Sequence, residues 1–223
     1  MFILAALQLT TAGRYRSQAL MTAPIAPADL RSAMILASVR RAFMEKGFDG
    51  ASMQDLAREV GMSVGNFYRY FPSKAAIIEA IILGDLVDLE RDFFDILGSA
   101  NPMQRLRETI KGHVENNLCD GEGRLWAEIT AVALRKPEIA AIVRKMDIAL
   151  NHHLMAVFSI TSGLPLAEVT HRFSAHGSLV KMMVMASAMQ ACDAGVVQVD
   201  LTALVLRTIN QTLDEIPQMP LKG

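Results

Sequence analysis

The chain has 223 residues, 52% hydrophobic and 6% aromatic, with 14 methionines; cores organise in units of about 100 to 200 residues, so this is one large domain or a small domain joined to a larger one, with aliphatic, helix-rich packing rather than disorder. The formal net charge of −1 is unevenly spread: residues 14–74 hold nine Lys or Arg against five Asp or Glu, whereas residues 75–223 hold 13 against 18, so the front third is the part suited to a polyanion. Cys119 and Cys192 are the only cysteines, which argues against a disulfide framework or a zinc site, and nothing reaches the roughly 18 uninterrupted apolar residues of a membrane span.

The opening "MFILAALQLTTAG" has an apolar run of signal-peptide length, but its first basic residue, Arg14, follows the run instead of preceding it, so a cytoplasmic protein is expected. Met21 stands just before a proline-bearing lead-in. Residues 1–28 read as a flexible or mis-assigned N-terminal extension.

From there on, apolar residues recur at three and four rather than at two, which predicts an all-α chain. The first helix spans about 29–46, with Leu30, Met34, Ala37, Ala42 and Phe43 as inward candidates and Gly47 where a left-handed stop belongs. A second begins at Ser52, with Asp55 three positions on as an acidic capping box, and Gly61 ends it. A third begins at Ser63 and runs only to about Phe71, because Pro72 disfavours helical geometry at the residue before it. Ser73 caps a fourth, to about Leu97. Further helical segments are expected at about 103–119, 122–135, 137–160, 166–192 and 201–214, separated by Gly and Pro breaks.

Two short helices joined by a glycine turn, after a longer amphipathic helix, form the pattern of a DNA-reading helix-turn-helix. Ala57 is small where the two would pass closest. In "GMSVGNFYRYFPSK" (61–74), Phe67 and Phe71 lie one turn apart and should point into a three-helix core with Met62. Tyr68 and Tyr70 leave the helix in other directions, where a hydroxyl can donate to a phosphate oxygen.

The stretch "ASMQDLAREVGMSVGNFYRYFPSKAAIIEAI" resembles the N-terminal DNA-binding domain of the TetR family of transcriptional regulators, over about residues 30–80 and with Gly61, Gly65, Tyr68, Phe71 and Lys74 as landmarks. "LWAEITAVALRKPEIAAIVRKM" also looks like the middle of many members. The resemblance implies a helix-turn-helix domain over 29–74 and an effector-binding and dimerisation domain over 75–223.

It also implies roles by position. Tyr68 and Lys74 match positions that clamp the phosphate backbone, Lys74 as a mobile cation beside a helix N-terminus. Val64, Gly65, Asn66 and Arg69 match positions near base edges, where Asn66 suits adenine and Arg69 guanine or a phosphate. Ser52, Met53 and Gln54 match further phosphate contacts. Val64 departs from the family, which often has Lys or another polar residue there; a valine can only pack, for instance on a thymine methyl.

The segment 166–192 mixes small residues with Leu179, Met182, Met183 and Met189 and is apolar on more than one face, so it needs cover on most sides. With the last helix it looks like the family's four-helix dimer interface, and a two-fold pair reads a palindrome. Candidates for orienting groups and walls of an effector pocket are His113, Asn116, Asn117, Trp126, Glu128, His152, Phe158, His176 and Met182. His152 and His153 do not suggest a metal, because adjacent helix positions diverge by about 100 degrees. No P-loop, nucleophile elbow, dinucleotide fingerprint or metalloprotease motif is present, so neither an enzyme nor a cofactor is expected.

The expectation is a homodimeric TetR-type regulator, a repressor of palindromic operator DNA released by a small, largely apolar effector. The alternative is an all-helical small-molecule binding protein with lost or weak DNA binding.

Overall fold

Serine hydroxyls start three consecutive helices in the front part of the chain. The structure, a computed structural model, describes residues 27–116, 122–189 and 196–217. Among these it contains nine helices and no strand: α1 Pro27–Gly50, α2 Met53–Glu59, α3 Val64–Tyr70, α4 Lys74–Gly98, α5 Pro102–Asn116, α6 Glu122–Ala133, α7 Pro137–Ser162, α8 Leu166–Ala188 and α9 Val196–Asp214. The expected extension over 1–28 lies almost wholly outside the described residues. The chain divides into two compact units: residues 1–34, described only as helix from Pro27, and residues 35–223, which hold everything discussed below.

The caps follow the sequence. Ser52 accepts the Asp55 N–H at 3.1 Å while the Asp55 carboxylate accepts the Ser52 N–H at 3.1 Å, a complete capping box, and these bonds hold the Asp55 carboxyl below its ordinary range. Ser63 accepts the Asn66 N–H and Ser73 the Ala76 N–H, starting α3 and α4. Helical geometry in α1 breaks at Gly47, with φ of 71°, and one short turn continues to Gly50. The turn between α2 and α3 passes through Gly61 at φ 66°, a conformation that a side chain makes costly, and it is tied down by the Met62 N–H donating to the Ala57 carbonyl at 2.9 Å. Ala57 is fully buried there.

Two apolar clusters organise the unit. The first gathers Val39, Phe43, Leu56, Phe67, Phe71 and Ile77 with Leu125, Ile129 and Val132 of α6 and Ile139 of α7. It is therefore the core of the helix-turn-helix and also the seat on which α6 rests. The second joins Phe93, Leu106, Ile110, Leu154, Phe158, Phe173, Val180, Ile209 and Leu213 from α4, α5, α7, α8 and α9. Phe158, fully buried in it, belongs to this core and not to a pocket wall.

Candidate nucleic-acid interface and body cavity

The four rings of α3 divide by direction. Phe67 is fully buried and its ring lies 5.5 Å from that of Phe71, also buried, while Met62 packs against the same cluster. Tyr68 and Tyr70 are 47% and 42% exposed. Residues at i and i+4 share a helix face, and adjacent positions diverge by about 100 degrees, so with Phe67 and Phe71 buried the neighbouring Tyr68 and Tyr70 point toward solvent. Ser52, Gln54, Gly65 and Arg69 are exposed, Asn66 is half-buried, and Val64 is 37% exposed, all on the same pair of short helices. Met53 is partly buried against the core. A Cβ placed on Gly65 would meet open space, so the protein's own packing does not require glycine at that position.

Lys74 is engaged rather than mobile. Its ammonium donates to the Phe48 carbonyl at 2.7 Å and the Asp49 carbonyl at 3.3 Å, and stands 5.0 Å from the centre of the Phe48 ring. Desolvation lowers its pKa from the ordinary lysine value. The lysine thus ties the start of α4 to the end of α1, where unsatisfied carbonyls favour a cation. Lys136 stands over the same ring at 4.9 Å.

A cavity of about 350 Å³ lies between α4, α5, α6, α7 and α8. Its walls are mostly apolar, with Leu89, Phe93, Ile110, Val143, Leu150 and Met185 among them. Of the residues expected at a pocket, His113 and Trp126 line it. The others lie elsewhere for identifiable reasons. Glu128 accepts the Phe48 N–H at 3.0 Å and so serves the junction between α6 and α1. His152 is exposed, Met182 is 63% exposed on α8, and His176 pairs with Glu215 at 2.8 Å and meets Phe173 edge-on. The side chain of Asn116 and the whole of Asn117 lie outside the described residues.

Sequence reading missed the charged part of the wall: Asp85, Asp88 and Asp92 of α4, Asp147 of α7 and Lys181 of α8. A signal was available, because aspartates at 85, 88 and 92 fall on one helix face. Asp147 pairs with Lys181 at 3.0 Å, Asp88 with Arg91 at 2.8 Å, and Asp92 faces His113 at 3.8 Å. Asp85 pairs through Oδ1 with Arg40 of α1, while its Oδ2 is buried with no hydrogen-bond partner. Burial pushes this carboxyl above its ordinary range, against the lowering pull of Arg40. Among the described residues, no group of three or more His, Cys, Asp or Glu could hold a metal ion, and no helix is long and apolar enough to cross a membrane.

A helix-turn-helix with outward tyrosines, followed by helices that line a cavity, is the all-α architecture on which the comparisons bear. The family model of bacterial regulatory proteins of the tetR family matches residues 35–81. Over that stretch the chain is similar to the DNA-binding domain of TetR-family regulators. The regulator UidR of Escherichia coli strain K12 is 30% identical over 128 residues, 52% of this chain and 59% of its own length. The regulator EthR of Mycolicibacterium smegmatis is 32% identical over 105 residues, 46% of this chain and 48% of its own. The chain thus spans about half to three fifths of the length of these relatives. Among solved structures, Salmonella enterica GusR superposes with a TM-score of 0.67 at 22% identity, over 87% of this chain and 98% of its own. AibR, solved with isovaleryl coenzyme A and operator DNA, gives 0.60 at 16% identity, over 85% of this chain and all of its own. At these identities the structures establish the shared fold.

Proposed function

We propose that this protein is a cytoplasmic transcriptional repressor that binds palindromic operator DNA as a homodimer and releases it when a small effector enters the body cavity. Residues 29–74 form the reading head, and residues 75–223 the effector-binding and dimerisation body. The carrying observation is the sorting of the α3 rings: Phe67 and Phe71 fix the helix on its core, leaving Tyr68, Tyr70 and Arg69 outward. The tyrosine hydroxyls reach phosphate oxygens and set register, and Asn66 and Arg69 read base edges. Open space at Gly65 lets the backbone come close to DNA.

The dimer joins α8 and α9 of two copies. Leu179 and Met182 on α8 and Val199 and Leu204 on α9 are exposed large apolar residues, which single chains seldom leave in water as a group. Two heads then engage half-sites about one DNA turn apart or somewhat more. An effector that binds the splayed pair better than the DNA-bound pair shifts the population to the released state.

The test is a salt titration of binding to the gene's own upstream DNA. A steep fall in affinity with rising salt is expected, because phosphate contacts release counterions. Absent or salt-insensitive binding overturns the regulator reading.

A further inference from the structure

The chemistry of the cavity narrows the class of its ligand. Most of the wall is apolar, so the body of an occupant is apolar too. The charges on the wall are predominantly negative: four aspartates against Lys181, with Lys181 already committed to Asp147. At Asp85 one carboxylate oxygen holds Arg40, and the other is buried without a donor on a residue that lines the cavity. A buried carboxylate oxygen without a partner is costly, and a ligand that supplies a charged N–H donor relieves that cost. An anionic head would meet Asp85, Asp88 and Asp92 on the same face of α4 and would be repelled.

Asp85 is also one of the joints between body and head. Arg40 lies in α1, and its guanidinium donates to the Asp85 carboxylate and toward the Ile81 carbonyl at 3.5 Å. A cation arriving from the cavity side shares the carboxylate with Arg40 and weakens that tie. Occupancy is thereby coupled to the position of α1 through a single shared group.

We propose that the cavity receives a small amphipathic cation, an aliphatic ammonium compound, whose charged end seats on Asp85 and competes there with Arg40. The proposal rests on the reading of the body as an effector domain and names the class of effector.

The experiment uses three probes with one tail and different heads: octylammonium, octanol and octanoate. Trp126 is the only tryptophan of the chain and lines the cavity, so its fluorescence reports occupancy. Octylammonium is expected to bind the full-length protein about tenfold tighter than octanol, with octanoate weakest. Asp85→Asn should remove that preference, so that octylammonium and octanol bind alike, and circular dichroism checks that the variant is folded. Octylammonium should also weaken the complex of the wild-type protein with upstream DNA, and do so less for Asp85→Asn.

Equal or tighter binding of octanol or octanoate to the wild-type protein overturns the cation assignment, and this comparison needs no variant. Lack of any response at Trp126 by a protein that still binds its upstream DNA overturns the cavity proposal and leaves the regulator reading standing. Discrimination among the probes by a protein that binds no DNA sustains the cation site and removes the regulator reading instead.

Discussion

The carboxylate of Glu128, in α6, accepts the backbone N–H of Phe48, at the end of α1, at 3.0 Å. It spans 80 positions of sequence and stands directly beside Gly47, where α1 loses helical geometry. Arg135 of the same region reaches Asp49 at 3.1 Å. The end of α1 is therefore held by the helix that carries Trp126 to the cavity.

Glu128→Ala should leave the Phe48 N–H without its acceptor and cost about 1 to 3 kcal/mol in a denaturant melt. Glu128→Gln should recover much of that loss, since an amide oxygen accepts the same bond. A melt in which the two variants behave alike would assign the effect to charge and not to the hydrogen bond.

Phe67→Ala empties a fully buried site and should cost about 3 to 5 kcal/mol. Tyr68→Phe removes an exposed hydroxyl and should leave stability within about 0.5 kcal/mol while weakening DNA binding on every sequence. Asn66→Ala should instead relax preference at one base position, measured by binding to a randomised operator library. An unchanged preference profile would remove Asn66 from the base readers.

Lys74→Ala should lower stability as well as DNA affinity, because its ammonium holds the Phe48 and Asp49 carbonyls. The expected loss is about 1 to 2 kcal/mol. Unaltered stability with reduced affinity would make the lysine a phosphate contact alone.

His153 lies on Phe93, ring centroids 4.9 Å apart and nearly parallel, and burial lowers its pKa from the ordinary 6.5, with His152 adding to the lowering and Glu90 opposing it. Because the folded pKa is depressed, the unfolded chain binds the proton more readily, and stability falls as pH drops through 6.5 toward the folded value. His153→Gln should flatten the stability profile between pH 7 and the acid limb relative to the parent protein. Identical profiles would show that the histidine titrates alike in both states.

The helix-turn-helix was legible in the sequence because its signals are local. Ser52 with Asp55, Ser63 and Ser73 are caps that work within three residues, and Phe67 and Phe71 differ by one helical turn. The roles of Glu128 and Lys74 were not legible, because each is decided by a backbone group of residues 48–49 that is distant in sequence. The cavity shows the same division. Polar residues such as His152 and His176 stand out in an apolar sequence, yet helix rotation sends them to solvent or to Glu215, whereas the aspartates of α4 look like an ordinary charged face until α7 and α8 close over them.

α4 runs unbroken from Lys74 to Gly98, and two of its contact points are 11 positions apart: Lys74 against the end of α1, Asp85 against the cavity. At 1.5 Å per residue this is a rigid arm of about 16 Å. Tilting such an arm by about 5 degrees about one point moves the other by about 1.4 Å, enough to take a hydrogen bond from good geometry to none. The helix thus sets the scale of the chemistry it connects: adding or removing one turn between the two points would alter that leverage without touching a single residue of either site.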